Sequence, residues 1–335
     1  MLCLTGQHDS LIEDVMTSLD IKADITLKPD LDQASLSQKM TAIVDVLQTA
    51  IDETNPDLIM VHGDTLSSYC GSVTAFLNKI PLAHVEAGLR THNKFSPYPE
   101  EMIRRQIALM ADQHFAPTTQ AMQNLIDEGV DKGSIHLTGN TVIDALEYIS
   151  SVPLKEYDSV KVLDDFIEVH KQQQGKKLLL LTMHRRENMH GHMQKIMDQI
   201  IDAVKQYDLA LVYIRHPNPN VKVDLEAISR EDNVFVSGPV SYPQFVQLMK
   251  QADLVLTDSG GIQEEAPFLG IPVLVLRNET ERTEALDGTR YRLYDPENIQ
   301  SDIRSILESE KEVKDVYGDG RASERIVQIL EKLYS

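Results

Sequence analysis

The stretch Leu254-Val255-Leu256-Thr257-Asp258-Ser259-Gly260-Gly261-Ile262-Gln263-Glu264-Glu265-Ala266 decides how this chain is read. A short apolar run closes on polar residues and two glycines, then passes directly into residues at helical spacing. A run apolar at every position, rather than at every second one, marks a strand covered on both faces. The stretch therefore reads as buried strand, tight turn and helix. The same order recurs on both sides of it. Residues 177–183 meet His184, 209–214 meet Arg215-His216, 233–236 meet Ser237-Gly238, and 272–276 follow downstream. In the first half, 57–60 lead into Val61-His62-Gly63-Asp64, 80–85 into Glu86-Ala87-Gly88, and 134–137 into Thr138-Gly139-Asn140.

Amphipathic helices lie between these runs. Over 37–51, Met40, Ile43, Val44, Leu47 and Ile51 share one helical face. Strand and helix alternate throughout, which predicts an α/β fold of two doubly wound, parallel-sheet, Rossmann-like domains. We place the first at 1–155 and the second at 156–317, with a helix over 318–335 packing back on the first. The polar segment 155–177 reads as the connection between them. Ligands of open α/β sheets bind beyond the carboxyl ends of the strands. Two such sheets facing one cleft would direct every polar strand end toward it, so those residues are the candidates for chemistry.

Composition narrows the function. The 335 residues carry a formal net charge of −20, which leaves no surplus of Lys and Arg to replace phosphate counterions and argues against a nucleic-acid partner. A small phosphorylated ligand remains compatible, because a few local cations and backbone amides suffice to hold it. No apolar run approaches the roughly 18–20 residues that span a bilayer, and no basic segment followed by an apolar one opens the chain. Cys3 and Cys70 are the only cysteines; they form no framework and no metal spacing, and read as two buried thiols in a reducing, cytoplasmic setting.

Several constellations could carry chemistry. Ser259, Gly260 and Gly261 let backbone amides approach a diphosphate, with Glu265 one turn on to accept ribose hydroxyls; the other reading is a tight turn capped by Ser259. Asp64, after His62-Gly63, is either a carboxylate at a strand end or an N-cap. Glu86 follows an apolar strand directly, where a carboxylate is costly unless functional or paired, and Arg90 is the candidate neutraliser. Glu100 and Glu101 open a helix, as acid/base groups or as dipole complements, with Arg104 spaced to pair with Glu100 on the surface. His184-Arg185-Arg186-Glu187-Asn188, Arg215-His216 and Thr280-Glu281-Arg282-Thr283-Glu284 bring cations to three further strand ends. No P-loop, dinucleotide fingerprint, H-E-x-x-H or G-x-S-x-G is present, so ATP hydrolysis, a nicotinamide site, a zinc protease site and a serine hydrolase all lack support.

Taken together, and in this order, Thr5-Gly6-Gln7-His8, His62 to Thr65, His84 to Arg90, Pro97-Tyr98-Pro99-Glu100-Glu101, Thr138 to Thr141, His184 to Asn188, His216-Pro217-Asn218-Pro219 and Asp258 to Pro267 resemble the non-hydrolysing UDP-N-acetylglucosamine 2-epimerases over almost the whole chain. The resemblance implies a fold like the type-B glycosyltransferases and inversion of C2 of UDP-GlcNAc to UDP-ManNAc without cofactor or metal. It implies anti elimination of UDP to 2-acetamidoglucal, then re-addition. On the matching positions it makes Asp64, Glu86 and Glu100 the acid/base carboxylates and His184 the group that helps UDP leave. Arg104, His216, Ser259, Gly260, Gly261, Glu265 and Arg282 become UDP contacts, with Phe245 beside uracil. Gln7 and His8 match an effector position where relatives bind a second UDP-GlcNAc, and a homodimer is implied. Relatives begin with an additional strand and a Gly-Thr-Arg-Pro-Glu loop, so the resemblance also implies that the first β-α unit is missing here. The competing readings are a UDP-sugar glycosyltransferase of the same fold and a truncated, non-catalytic UDP-sugar-binding protein.

Overall fold

The computed structural model describes residues 1–7, 12, 15–17, 19–31, 34–151, 161–183, 192–215, 224–310 and 312–334. They fall into two compact units, Met1–Asp144 with Tyr317–Ser335, and Ala145–Val316.

In the first unit, β1 (Cys3–Leu4) pairs with β2 (Ile25–Thr26). A separate sheet runs β3 (Ile59–His62), β4 (Leu82–Val85), β5 (Gln113–Ala116), β6 (Ile135–Leu137), every pair parallel. The strand β5 is absent from the apolar pattern because Gln113 and His114 interrupt it. His114 is nevertheless buried, and burial holds its imidazole neutral, with a pKa lowered to about 4. One sheet face carries Ala83, Val85 and Phe115 against Ile326, Ile329 and Leu330 of the helix Ala322–Tyr334. That helix is fixed at its start by Asp144, whose carboxylate accepts from the amides of Ala322 (3.1 Å) and Ser323 (2.7 Å). The helix Leu36–Thr54 opens with a capping box in which Ser35 and Gln38 satisfy each other's backbone amides.

The second unit is a six-stranded parallel sheet in the order β12-β11-β10-β7-β8-β9. Its strands are β7 (Leu178–Met183), β8 (Ala210–Arg215), β9 (Val234–Ser237), β10 (Leu254–Thr257), β11 (Val273–Val275) and β12 (Tyr291–Leu293). Strands β7 to β9 wind one way and β10 to β12 the other, so the winding reverses between β7 and β10. Loops leaving the two strands diverge there, which is where such sheets bind ligands. The hydroxyls of Thr182 and Thr257 meet across this junction at 2.8 Å. Leucines at 179, 181, 211, 254 and 256 are almost wholly buried, as expected for strands with both faces covered.

Among the described residues no helix is long and apolar enough to cross a membrane. Of the two thiols only Cys70 is fully buried, with its pKa pushed up to about 12; Cys3 is half-buried.

Candidate active site

The first unit gathers its carboxylates at the carboxyl ends of β3 and β4. After β3 the chain turns at Gly63 (φ 65°) and delivers Asp64. Asp64 is not the helix cap: Thr65 caps the helix Leu66–Leu77 through Ser68 N. After β4 the chain enters the left-handed region at Glu86 (φ 64°), a conformation that costs a non-glycine residue about 1–2 kcal/mol. The two turns share a mount. The positive φ favours glycine at 63, and a Cβ there would fall 2.7 Å from Glu86 Oε2 and displace that carboxylate. The carbonyl of Gly63 accepts from Nε2 of His84 at 2.9 Å. His84 is fully buried and kept neutral, its pKa lowered to about 3 by burial. On its other side Glu86 Oε1 accepts from Asn140 Nδ2 at 3.1 Å.

The helix Glu100–Met110 supplies the remaining groups. Glu101, on its first turn, is fully buried and accepts from the amides of Thr91 (3.0 Å) and His92 (3.1 Å). Arg104 donates from Nη1 to Glu101 (2.7 Å) and from Nε to Asp64 (2.7 Å), with its side chain only 1% exposed. The surface pair expected between Arg104 and Glu100 is replaced by this buried bridge, because the helix turns Arg104 inward onto Asp64. Arg90 likewise is not seen as the partner of Glu86: it forks onto Glu128 at 3.1 and 2.8 Å. Glu100 Oε2 is buried without a hydrogen-bond partner among the described residues. Gln7 accepts from the amide (2.8 Å) and hydroxyl (2.6 Å) of Ser67. His8, His184 and His216 lie outside the described residues.

In the second unit, β10 runs into Asp258, Ser259, Gly260 and Gly261 before the helix Ile262–Phe268. Gly261, not Ser259, stands at the cap position, and no side chain among the described residues caps this helix, so the Ser259 hydroxyl is not its cap. Arg282 packs against the backbone of Gly260, with Nη1 2.8 Å from where a Cβ would stand. It donates to Glu264 (2.5 Å) and to Glu281, which also accepts from Arg277 (3.1 Å). All four side chains are nearly inaccessible. Glu265 is buried and accepts from the Tyr242 hydroxyl at 2.6 Å. Burial lifts its pKa to about 7 against the opposing pull of that hydrogen bond. Phe245 is half-buried on the same helix as Tyr242, Tyr242–Gln251.

Sequence reasoning missed the supporting contacts made by His84, Asn140, Glu101 and Tyr242. The first three stand inside or beside matched motifs, which was a usable signal; Tyr242 carried none. Among the described residues no group of three or more His, Cys, Asp or Glu side chains is arranged for a metal ion.

Two Rossmann-like units with charged and hydroxyl side chains at the carboxyl ends of parallel strands define an α/β enzyme of the class that handles nucleotide-linked substrates. The family model described as UDP-N-acetylglucosamine 2-epimerase matches residues 1–331. The UDP-N-acetylglucosamine 2-epimerase of Campylobacter jejuni is 37% identical over 99% of this chain and 89% of its own length. The crystal structure of UDP-GlcNAc 2-epimerase from Neisseria meningitidis bound to UDP-GlcNAc superposes with a TM-score of 0.88 at 37% identity, covering 98% of this chain and 91% of that one. The S. aureus MnaA–UDP co-structure does so with a TM-score of 0.86 at 36% identity, covering 98% and 87%. The chain belongs to the UDP-N-acetylglucosamine 2-epimerase family.

Proposed function

We propose that the protein interconverts UDP-GlcNAc and UDP-ManNAc by eliminating UDP and adding it back. The observation that carries this reading is the placing of Asp64 and Glu86 on two adjoining strand-end turns, with Glu100 holding a buried oxygen that has no partner among the described residues. Inversion at C2 needs a base on one face and an acid on the other, whereas sugar transfer needs no second carboxylate for a C2 proton.

In the forward direction a carboxylate takes the C2 proton. The C1–O bond to the diphosphate breaks with its electron pair leaving on UDP, and a C1=C2 double bond remains. UDP then re-adds at C1 while a protonated carboxylate returns a proton to the opposite face of C2. Arg104, bridged between Asp64 and Glu101, holds the Asp64 carboxylate in one orientation. Charge developing on the departing diphosphate calls for preorganised donors. We assign these to His184, His216, Ser259, the amides of Gly260 and Gly261, and Arg282. Glu265 takes the ribose hydroxyls and Phe245 the uracil. We further assign the protein to the cytoplasm, as a homodimer, with Gln7 and His8 at an effector site for a second UDP-GlcNAc.

Proton NMR of UDP-GlcNAc with the purified chain in deuterated water tests the reading. Appearance of UDP-ManNAc with deuterium at C2 supports it. A folded sample that binds UDP, yet neither exchanges the C2 proton nor forms product, overturns it.

A further inference from the structure

The segment Thr138-Gly139-Asn140-Thr141 stands out in the sequence but has no part in the chemistry above. It lies where β6 ends and the helix Thr141–Ser151 begins. The chain returns to this point near its other end. The amide of Asn140 donates to the carbonyl of Tyr317 at 2.7 Å. Gly139 (φ 85°) and Gly318 (φ 120°) cross so closely that a Cβ on either would stand 3.0–3.1 Å from the other's Cα. Arg325 donates to the Thr138 carbonyl at 3.1 Å and is held by Asp319 at 2.6 Å. Asn140 is thus buried, at 2% exposure, with its backbone fixed by a segment almost 180 residues away in sequence. From this position its Nδ2 donates to Glu86 Oε1. Glu86 itself sits in a left-handed conformation, one that surrounding contacts must hold in place.

We infer that Asn140 is a positioning residue for Glu86, its carboxamide fixing the direction in which that carboxylate points. The inference rests on the reading of Glu86 as an acid/base group. It goes beyond that reading by making the β6 loop part of the catalytic support. Asn140 Oδ1 also faces Val142 N at 3.4 Å, so a helix-capping role must be separated from a positioning one. Asn140→Asp separates them, because Asp caps as well as Asn but has no amide to donate and brings a second anion to Glu86. Asn140→Ser, neutral and also a good cap, is the companion variant.

Both variants are expected to lower kcat by about 10- to 100-fold, the scale of a small misplacement of a reacting group, with KM within about twofold of the parent. Wild-type kcat in both would overturn the inference, since capping alone accounts for that result. A second readout does not depend on turnover. Asn140→Asp should lower the Tm by about 2–4 °C in the parent and leave it unchanged in a Glu86→Gln background, where the opposing charge is gone. Additive Tm changes would show that the two side chains do not interact, and would overturn the inference even if the parent chain turned nothing over. A parent without turnover but with a non-additive cycle would sink the proposed function and leave the contact standing.

Discussion

Replacing Glu265 by Gln separates two demands on one buried carboxyl. In the folded chain Glu265 is enclosed and accepts the Tyr242 hydroxyl, and burial lifts its pKa from 4.5 to about 7. A raised folded pKa means that the native state holds this proton more tightly than the unfolded state does. The stability it contributes is fully present below pH 4.5 and is lost as pH rises through 7. At about 1.4 kcal/mol per pH unit the loss totals about 3 kcal/mol. The substituted glutamine mimics the protonated form at every pH and still offers an Oε1 acceptor to Tyr242. The variant should therefore match the parent in urea unfolding at about pH 4 and exceed it by about 3 kcal/mol at about pH 8. Binding should run the other way. A carboxylate that takes both ribose hydroxyls must be ionised, so UDP-GlcNAc affinity in the parent should fall about tenfold per pH unit below about 7, with proton release on binding. Glu265→Gln should bind more weakly and lose that pH dependence. Calorimetry in two buffers of different ionisation heat measures the proton directly. A stability difference that stays constant across the same pH range would refute the burial argument. Equal affinity in parent and variant would refute the ribose role.

Three further outcomes follow from the first unit. Arg104→Met leaves Glu101 buried without its cation and should cost about 3–5 kcal/mol in urea unfolding; adding Glu101→Gln should recover part of that loss. Gly63→Ala forces a Cβ to 2.7 Å from Glu86 Oε2 at a positive φ, so it should cost about 1–3 kcal/mol and lower kcat about tenfold or more. His84 is held neutral with a pKa lowered from 6.5 to about 3. The stability it contributes is present above pH 6.5 and is lost as pH falls toward 3. His84→Gln, which keeps a donor for the Gly63 carbonyl, should flatten that acid limb, as read by unfolding midpoints between about pH 7 and about pH 4.

Strands of continuous apolar residues, such as β7 and β10, announce themselves, and so the two-sheet α/β plan was legible. The strand β5 was not, because His114 sits in it; a buried imidazole looks polar in sequence and is neutral in place. The short β2 and the mixed Tyr291-Arg292-Leu293 of β12 escaped for the same lack of pattern. Within the candidate site, strand-end position singled out Asp64 and Glu86 as candidates, since topology alone places such residues. Partners were less legible. Arg104 is 40 residues from Asp64 and Arg90 is 38 from Glu128, and local spacing instead suggested Glu100 and Glu86. Spacing reports neighbours on one helix; it is silent on which face a helix turns inward. The segment Thr280 to Glu284 likewise read as bringing a cation to a strand end, because the pairing of Arg282 with Glu264 and Glu281 is visible only in three dimensions.

The helix Ala322–Tyr334 has a consequence for how the chain is made. Its apolar side completes the packing on Ala83, Val85 and Phe115, yet the ribosome reaches Ile326 about 200 residues after Phe115. At about 5–20 residues per second that interval is about 10–40 s. The whole second unit is synthesised meanwhile, and can fold while the carboxylate-bearing sheet still has a bare face. Vectorial synthesis thus completes the chain of the later unit before that of the earlier one, and the face bearing Ala83, Val85 and Phe115 lacks its covering helix until then.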